Sequence, residues 1–368
     1  MRLFSIILAT AALLWSCSGS GSTTPGAVGG DTLTSRSALL TLVQRPGWVE
    51  ATVADPWHPE DKPLERYALV ADSSQANIPD GFIRVSVPLR RSIVYSAVHT
   101  SAIDRLGALD AVAAIADGNW LSDADPVKKY VAGGTVRDIG PSTSPSVETV
   151  IDLQPDAILL APYENGSRGG VDKAGAPLIE MADYMESTPL GRAEWLLLLG
   201  ELYGKRDLAR RIYSRVVGRY DSIRALGADD SRPRPRVFTE TPVSGVWYVP
   251  AGGSYMAQLI ADAGGDYVWE DTPGTGSLPL DLPAVIDRAG DADIWLIKTF
   301  GPVTQASLRA TVPQTGAFRA FPDGVRACDT STSGFFNDLA FTPDLILDDL
   351  ARVMRGADST AYFLPVHP

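Results

Sequence analysis

The sequence predicts an α/β fold made of two α/β lobes connected by one long helix. Short apolar strand patterns alternate with helical patterns in both halves of the chain, which is typical of βαβ units and parallel sheets. The spacing of residues 150–160 is nearly repeated at residues 285–297. An amphipathic helical pattern with few interruptions lies between the two halves.

Length and composition set the broad class. The chain has 368 residues, of which 45% are apolar and 21% charged, as expected for two globular domains and a tail. Its formal net charge of -12 argues against nucleic acid as a partner, because such binding depends on neutralising phosphates. Of the two cysteines, Cys328 stands alone in the folded part, so we expect a buried thiol and no disulfide framework.

Residues 1–17 form a targeting segment. A short positive start and an apolar run lead to Cys17, and the run is too short to cross a membrane. The pattern resembles a bacterial lipoprotein signal in which Cys17 is lipidated, and the alternative is a plain secretory signal. Residues 18–31 are rich in Gly and Ser and predict a flexible tether.

We assign residues 32–190 to the first lobe. Its strand-rich start, residues 32–90, predicts an antiparallel hairpin region. A strand at 91–96, a loop at 97–99 and a helix from residue 100 to 106 follow. Strands at 111–116 and 157–160 complete the pattern, with a helix between them that Ser146 can cap.

Residues 191–228 are the helical segment that connects the lobes. Apolar residues recur every three or four positions from 205 to 225, which puts them on one helical face. They are Leu208, Ile212, Val216, Tyr220 and Ile223.

The second lobe, residues 229–368, repeats the plan. A strand at 236–240 precedes a helix at 255–262, and a buried strand at 291–297 follows. Residues 246–255 and 333–338 are interpreted as loops.

Ligands of open α/β sheets sit at the carboxyl ends of strands, which selects the loops of the candidate site. Aromatic side chains recur there and suit a large flat ligand, although each could instead belong to a core. His99 could coordinate a metal or hydrogen-bond a chelate, or be an ordinary hydrogen-bonded loop histidine. Arg168 and Lys298 could meet an anionic ligand. The candidate ligand-binding residues are Tyr95, His99, Trp120, Tyr163, Trp247, Tyr248, Tyr255, Lys298 and Phe335.

A family becomes recognisable at residues 145–159, which read PSVETVIDLQPDAIL. This stretch closely resembles the signature of periplasmic binding proteins for iron chelates (siderophores, haem) and cobalamin. The resemblance spans roughly residues 83–360 and implies two doubly wound lobes, a rigid connecting helix and a ligand cleft between the lobes. It also implies a binding lipoprotein without catalysis or cofactor, which hands a metal chelate to an inner-membrane ABC permease.

Two surface carboxylates are candidates for contact with that permease. In this family each lobe displays a Glu that pairs with a permease Arg, and Glu148 matches the first position. In the second lobe the matching position is Pro283, and Asp281 is the nearest substitute.

Three other functions stay open. A bare zinc or manganese ion would need several His and carboxylate ligands, whereas His99 is the one cleft histidine in the sequence pattern. A hydrolase would need a nucleophile motif, and Ser254 does not sit in G-x-S-x-G. A lipoprotein that contacts other envelope components without a small ligand is the third. We expect the binding protein to be a monomer. The sequence does not choose among siderophore, haem and cobalamin, nor between inner and outer membrane for the anchor.

Overall fold

The computed structural model describes residues 30–58, 60–71, 76–164, 166, 168–228 and 231–368. The signal segment, Cys17 and nearly all of the predicted tether lie outside these residues.

The chain begins with a five-stranded sheet of its own. Its strands follow one another in chain order and pair antiparallel, except that the last two are parallel. The predicted hairpin is therefore too small: pairing between strands that are close in the chain continues through all five. They are β1 (Asp31–Thr32), β2 (Leu40–Arg45), β3 (Trp48–Val53), β4 (Glu65–Ala71) and β5 (Ile83–Val87).

Two buried carboxylates attach this leading sheet to the helical segment. Glu194 accepts hydrogen bonds from the backbone N–H groups of residues 35–37, at 2.7–3.0 Å. Glu186 accepts from the N–H groups of Ala38 and Leu39 and from the indole of Trp195. Each carboxylate thus accepts several main-chain hydrogen bonds from the segment between β1 and β2 and connects it to the helices.

The first lobe is built on a wholly parallel five-stranded sheet in the order β10-β9-β6-β7-β8. Strands β7 and β8 lie on one side of β6, and β9 and β10 lie on the other. The order of the strands therefore reverses at β6, and its carboxyl end is a topological switch point. The strands are β6 (Ser92–Val94), β7 (Val112–Ile115), β8 (Arg137–Asp138), β9 (Ala157–Leu160) and β10 (Leu178–Glu180). The helices are α1 (Ala97–Arg105), α2 (Lys128–Ala132) and α3 (Val147–Leu153), and Ser146 caps α3 as predicted.

Three consecutive helices lead to the second lobe: α4 (Pro189–Glu194), α5 (Leu196–Leu202) and α6 (Arg206–Ala228). The predicted connecting helix is confirmed as α6, whose 23 residues span about 35 Å. Val216, Tyr220 and Ile223 are buried on its predicted apolar face, whereas Leu208 and Ile212 are only partly buried.

The second lobe contains a mixed five-stranded sheet in the order β14-β11-β16-β17-β18 and a small antiparallel sheet in the order β12-β13-β15. Only the last strand of the larger sheet runs antiparallel. The strands are β11 (Arg236–Thr239), β12 (Pro242–Val243), β13 (Val246–Pro250), β14 (Asp266–Tyr267), β15 (Ser277–Leu280), β16 (Ile294–Thr299), β17 (Val325–Asp329) and β18 (Leu364–Pro365). The helices are α7 (Tyr255–Asp262), α8 (Leu282–Ala289), α9 (Gln305–Thr311), α10 (Phe335–Phe341) and α11 (Pro343–Met354).

Two segments interpreted as loops are regular structure. Residues 246–250 form β13, in which Trp247 and Val249 point inward while Tyr248 points outward. Residues 335–338 open α10, which packs against α1 of the first lobe. Cys328, in β17, is a buried free thiol as predicted.

The two lobes also touch directly. The backbone N–H of Asp123 donates to the carbonyl oxygen of Ser331 at 3.0 Å. Arg105 on α1 forms an ion pair with Asp338 on α10. Among the residues that the structure describes, no helix combines the length and apolar character that a membrane crossing would require.

Candidate functional site

A cavity of about 1050 Å³ lies at the carboxyl edge of the first-lobe sheet. Its wall is formed by the residues that directly follow four neighbouring parallel strands, β6, β7, β9 and β10. All of its lining residues fall between Leu64 and Arg192, so they come from the leading sheet, the first lobe and α4. A ligand at this edge would lie where the switch point of a doubly wound sheet places it.

Tyr95 enters the cavity directly after β6. Its backbone N–H donates to the carbonyl oxygen of Leu159 on β9 at 2.9 Å, which fixes its position at the switch point. Its hydroxyl is buried and has no hydrogen-bond partner among the described residues. Burial and the nearby Asp117 carboxylate raise the pKa of Tyr95 to about 12, so the hydroxyl keeps its proton and can donate to a ligand.

His99 and Asp183 form a buried pair in the cavity wall. His99 Nε2 lies 2.7 Å from Asp183 Oδ1, and the opposite oxygen of Asp183 accepts from Arg192 Nε at 3.1 Å. Burial alone would raise the pKa of Asp183, but the adjacent His99 and Arg192 hold it below its ordinary value.

This geometry revises the expectation for His99. The residue lies in the first turn of α1, not in a loop, because the helix begins at Ala97, and its side chain is 3% exposed. One ring nitrogen is bound to Asp183, while Nδ1 has no partner among the described residues. The structure therefore assigns His99 first to the scaffold of the cavity.

A second buried carboxylate, Glu180, ends β10. Its backbone N–H donates to the hydroxyl of Tyr67 in the leading sheet at 2.9 Å. Glu180 Oε1 forms an ion pair with Arg168, whereas Oε2 is buried without a hydrogen-bond partner in the described part of the chain. Burial raises the pKa of Glu180, and Arg168 partly offsets that rise.

Exposed aromatic side chains surround the cavity mouth. Trp120 is 71% exposed, and its ring lies 6.1 Å from that of Phe300, which follows β16 in the second lobe. Tyr163 is 66% exposed and lies 6.5 Å from the ring of Tyr184. Exposed aromatic side chains grouped at a cavity mouth are typical of a binding surface.

The second-lobe candidates are dispersed. Tyr255 lies near the cavity, since the guanidinium of Arg192 is 5.4 Å from its ring centroid. Tyr248 is exposed on the outer face of the small sheet. Lys298 forms an ion pair with Glu240.

Trp247 and Phe335 do not reach the cleft. Trp247 is 1% exposed and packs on Phe238 and Trp295 in the second-lobe core. Phe335 is fully buried because it belongs to the inward face of α10, where its ring meets Phe363. Strand alternation at 246–250 could have revealed the first of these placements.

The two docking candidates lie on the surface in the first turns of helices. Glu148 is exposed on α3. Asp281 is exposed and caps α8, where its carboxylate accepts from the N–H of Ala284 at 2.9 Å. A negative charge at either position is favoured by the helix dipole.

The part of the chain that the structure describes contains no group of three or more His, Cys, Asp or Glu residues arranged to hold a metal ion. Cys17 cannot be placed because it lies outside that part. Sequence reasoning did not select Asp183, Arg192, Glu180, Tyr184 or Phe300, whose roles depend on partners distant in the chain.

The sequence matches one family model and is similar to an archaeal lipoprotein. A family model described as "Periplasmic binding protein" matches residues 96–314. An uncharacterised lipoprotein of Methanocaldococcus jannaschii is 24% identical over 306 residues, covering 80% of this chain and 71% of that protein.

Solved structures share the fold at low sequence identity. A periplasmic haem-binding protein from Pseudomonas aeruginosa superposes with a TM-score of 0.57 at 15% identity, over 76% of this chain and 99% of that one. A protein of an ABC-type Fe³⁺-hydroxamate transport system from Saccharomonospora viridis gives 0.56 at 18% identity, over 73% and 94%.

Proposed function

Because the chain belongs to the periplasmic binding protein family, we propose that it captures a metal chelate and delivers it to an ABC permease. The family consists of substrate-binding proteins rather than enzymes. The proposed cargo is a ferric siderophore or a related metal macrocycle, haem or cobalamin. The fold shared with a haem-binding protein and a ferric hydroxamate transport protein supports this cargo class.

The observation that carries the proposal is the cavity at the switch point of the first-lobe sheet. Its volume of about 1050 Å³ is at the upper end for small-molecule sites, which run to roughly 1,000 Å³. Aromatic rings stand at its mouth, and a few buried polar groups stand in its wall. Tyr95 provides a hydroxyl donor, and Glu180 provides an acceptor oxygen. This combination suits a bulky chelate with an apolar periphery and a small number of polar contacts.

The second lobe would close over the ligand through the aromatic contact at the mouth. Trp120 and Phe300 meet from opposite lobes at 6.1 Å, and Tyr255 lies beside Arg192. Tyr163 extends the exposed aromatic surface at the mouth, whereas Tyr248 is exposed on the small second-lobe sheet. We therefore place the ligand between the first-lobe cavity and these second-lobe rings.

Delivery to the permease is assigned to the surface that carries Glu148, with Asp281 as the candidate in the second lobe. Both carboxylates are exposed and can meet permease arginines. A lipid on Cys17 would hold the protein at the membrane, facing the periplasm, beside its permease. The lipoprotein name of the archaeal relative supports that anchor.

Calorimetric titration of the full-length protein in detergent with haemin, cobalamin and a ferric trihydroxamate tests the proposal. Saturable binding of one chelate at micromolar or lower concentration is expected, and detergent alone is the control. Zinc and manganese ions are titrated in parallel, and saturable binding of either ion in place of a chelate would support the bare-ion alternative. If none of these ligands binds, the proposed cargo class is wrong.

A further inference from the structure

The wall of the cavity has an excess of negative charge. Four carboxylates and two guanidiniums belong to its described lining. This leaves two carboxylates that no lining guanidinium balances. The carboxylates are those of Asp117, Asp172, Glu180 and Asp183, and the guanidiniums are those of Arg168 and Arg192.

Both lining arginines already have anionic partners. Arg192 pairs with the buried Asp183 at 3.1 Å, and Arg168 pairs with the buried Glu180. On the second lobe, Lys298 pairs in the same way with Glu240. An anionic ligand would have to compete with these carboxylates for every one of the three cations, although the sequence suggested Arg168 and Lys298 for that role.

The remaining two carboxylates, those of Asp117 and Asp172, line the cavity and would lie close to a bound ligand. Asp117 follows β7 and accepts a hydrogen bond from the N–H of Ser142 at 3.0 Å. Its field reaches the neighbouring strand end, since it contributes to the raised pKa of Tyr95. Asp172 is an exposed member of the lining.

The buried polar groups point to the same ligand chemistry. Glu180 is 1% exposed, and its Oε2 has no hydrogen-bond partner among the described residues. A carboxylate oxygen in that position accepts hydrogen bonds and repels another carboxylate. The cavity wall is thus prepared for a ligand that presents donors.

On the premise of the proposed function, we propose that the cavity selects electroneutral or cationic metal chelates and discriminates against anionic ones. A carboxylate brought into this cavity loses its hydration and meets an excess of like charge. Like-charge juxtaposition of this kind costs at least about 1.4 kcal/mol, which corresponds to about a tenfold weaker affinity.

Chelates that share one metal centre and differ mainly in the charge of their peripheral groups provide the test. One series is the ferric complex of a linear trihydroxamate with a terminal ammonium group, together with its N-acetyl and N-succinyl derivatives. These are cationic, neutral and anionic, with the same iron centre. Cyanocobalamin with a monocarboxylate derivative, and haemin dimethyl ester with haemin, form the corresponding pairs. The full-length protein in detergent is titrated with each member, at low and high salt.

In whichever series binds, we expect the anionic member to have an affinity at least about tenfold lower than that of the neutral or cationic member. High salt should restore part of the lost affinity. Equal or tighter binding of the anionic member overturns the inference and leaves the proposed function standing. Absence of binding by every member of all three series overturns both.

Asp117→Asn identifies the origin of the discrimination. Asp117 has a φ of 57°, and asparagine tolerates this left-handed conformation while keeping the acceptor for Ser142. In this variant the ratio of the affinities for the neutral and the anionic member should fall several-fold. Asp110→Asn, an identical charge change at the exposed turn before β7, is the matched control. A discrimination that stays the same in Asp117→Asn removes Asp117 as its source.

Discussion

His99 Nε2 lies 2.7 Å from Asp183 Oδ1, and both side chains are almost completely buried beside the cavity. The contact joins the first turn of α1 to the turn that follows β10. Arg192 from α4 completes the group. Three elements that are separate in the chain are therefore held together at the place where a ligand would rest, which preorganises the cavity.

His99→Ala should weaken both the fold and the ligand site. It removes a buried partner of Asp183, and breaking such a pair lowers the free energy of unfolding by about 3 kcal/mol. Ligand affinity should fall as well, because the cavity wall loses its support. Denaturant unfolding and calorimetry measure the two effects.

His58→Ala is the control for that substitution. His58 is exposed, and its ring nitrogen lies 3.6 Å from a carboxylate oxygen of Asp55, so the change should stay within about 0.5 kcal/mol. Similar stability and affinity in the two variants would separate His99 from the site.

Two tryptophans should respond in opposite ways to truncation. Trp247→Ala opens a hole in the aromatic core and should cost about 3–5 kcal/mol of stability. Trp120→Ala removes a ring that is 71% exposed, so it should leave stability nearly unchanged and weaken chelate binding. Thermal unfolding and ligand titration of both variants provide the comparison. Unaltered affinity in Trp120→Ala would place the ligand elsewhere.

Asp125 predicts a pH-dependent stability. Burial raises its pKa from 3.8 to about 6, although a hydrogen bond from the N–H of Val127 partly offsets the shift. The folded protein therefore holds this proton more tightly than the unfolded chain does. The associated stability is fully present below the unfolded value and is lost as pH rises through about 6.

Asp125→Asn mimics the protonated form. Near neutral pH it should be more stable than the natural protein by up to about 2 kcal/mol, and this advantage should vanish near pH 4. Urea unfolding across that pH range measures both limits. A constant difference between the two proteins at every pH would show that the carboxyl does not titrate there.

Glu148→Arg tests the docking surface. The side chain is exposed and is not one of the residues that line the cavity, so the fold and chelate affinity should remain as they are. Uptake by cells that carry the permease should fall at least about tenfold, since a like charge replaces the attraction to a permease arginine. Asp152→Arg, also exposed on α3, is the control. Normal uptake with Glu148→Arg would return the residue to an ordinary surface role.

Local patterns predicted the scaffold. Helix α7 has the bounds that its sequence indicates, and α6 begins one residue later and ends three residues later than predicted. The strand ends that carry Tyr95 and Trp120 were also located, because βαβ order alone places them at one edge of a sheet.

Local sequence patterns do not predict which side chains pair with each other in the folded protein. Asp183, Arg192 and Glu180 acquire their roles from partners that only folding brings close, so nothing in their sequence neighbourhoods marked them. Phe335 was misplaced because an aromatic pair after glycine suits a loop as well as the first turn of α10. The alternation of residues at 246–250 predicts a strand in which Trp247 faces inward, and the structure agrees with that pattern.

The position of the metal in a crystal of the complex shows whether the chelate occupies the first-lobe cavity. Crystals of the protein with the chelate that binds in calorimetry can be measured at the absorption edge of iron or cobalt, which locates the metal atom without assumptions about the ligand. We expect a single anomalous peak in the first-lobe cavity, from a chelate that contacts Tyr95, Trp120 and Tyr163. A peak outside this cavity, with the cavity itself filled only by solvent, would contradict it.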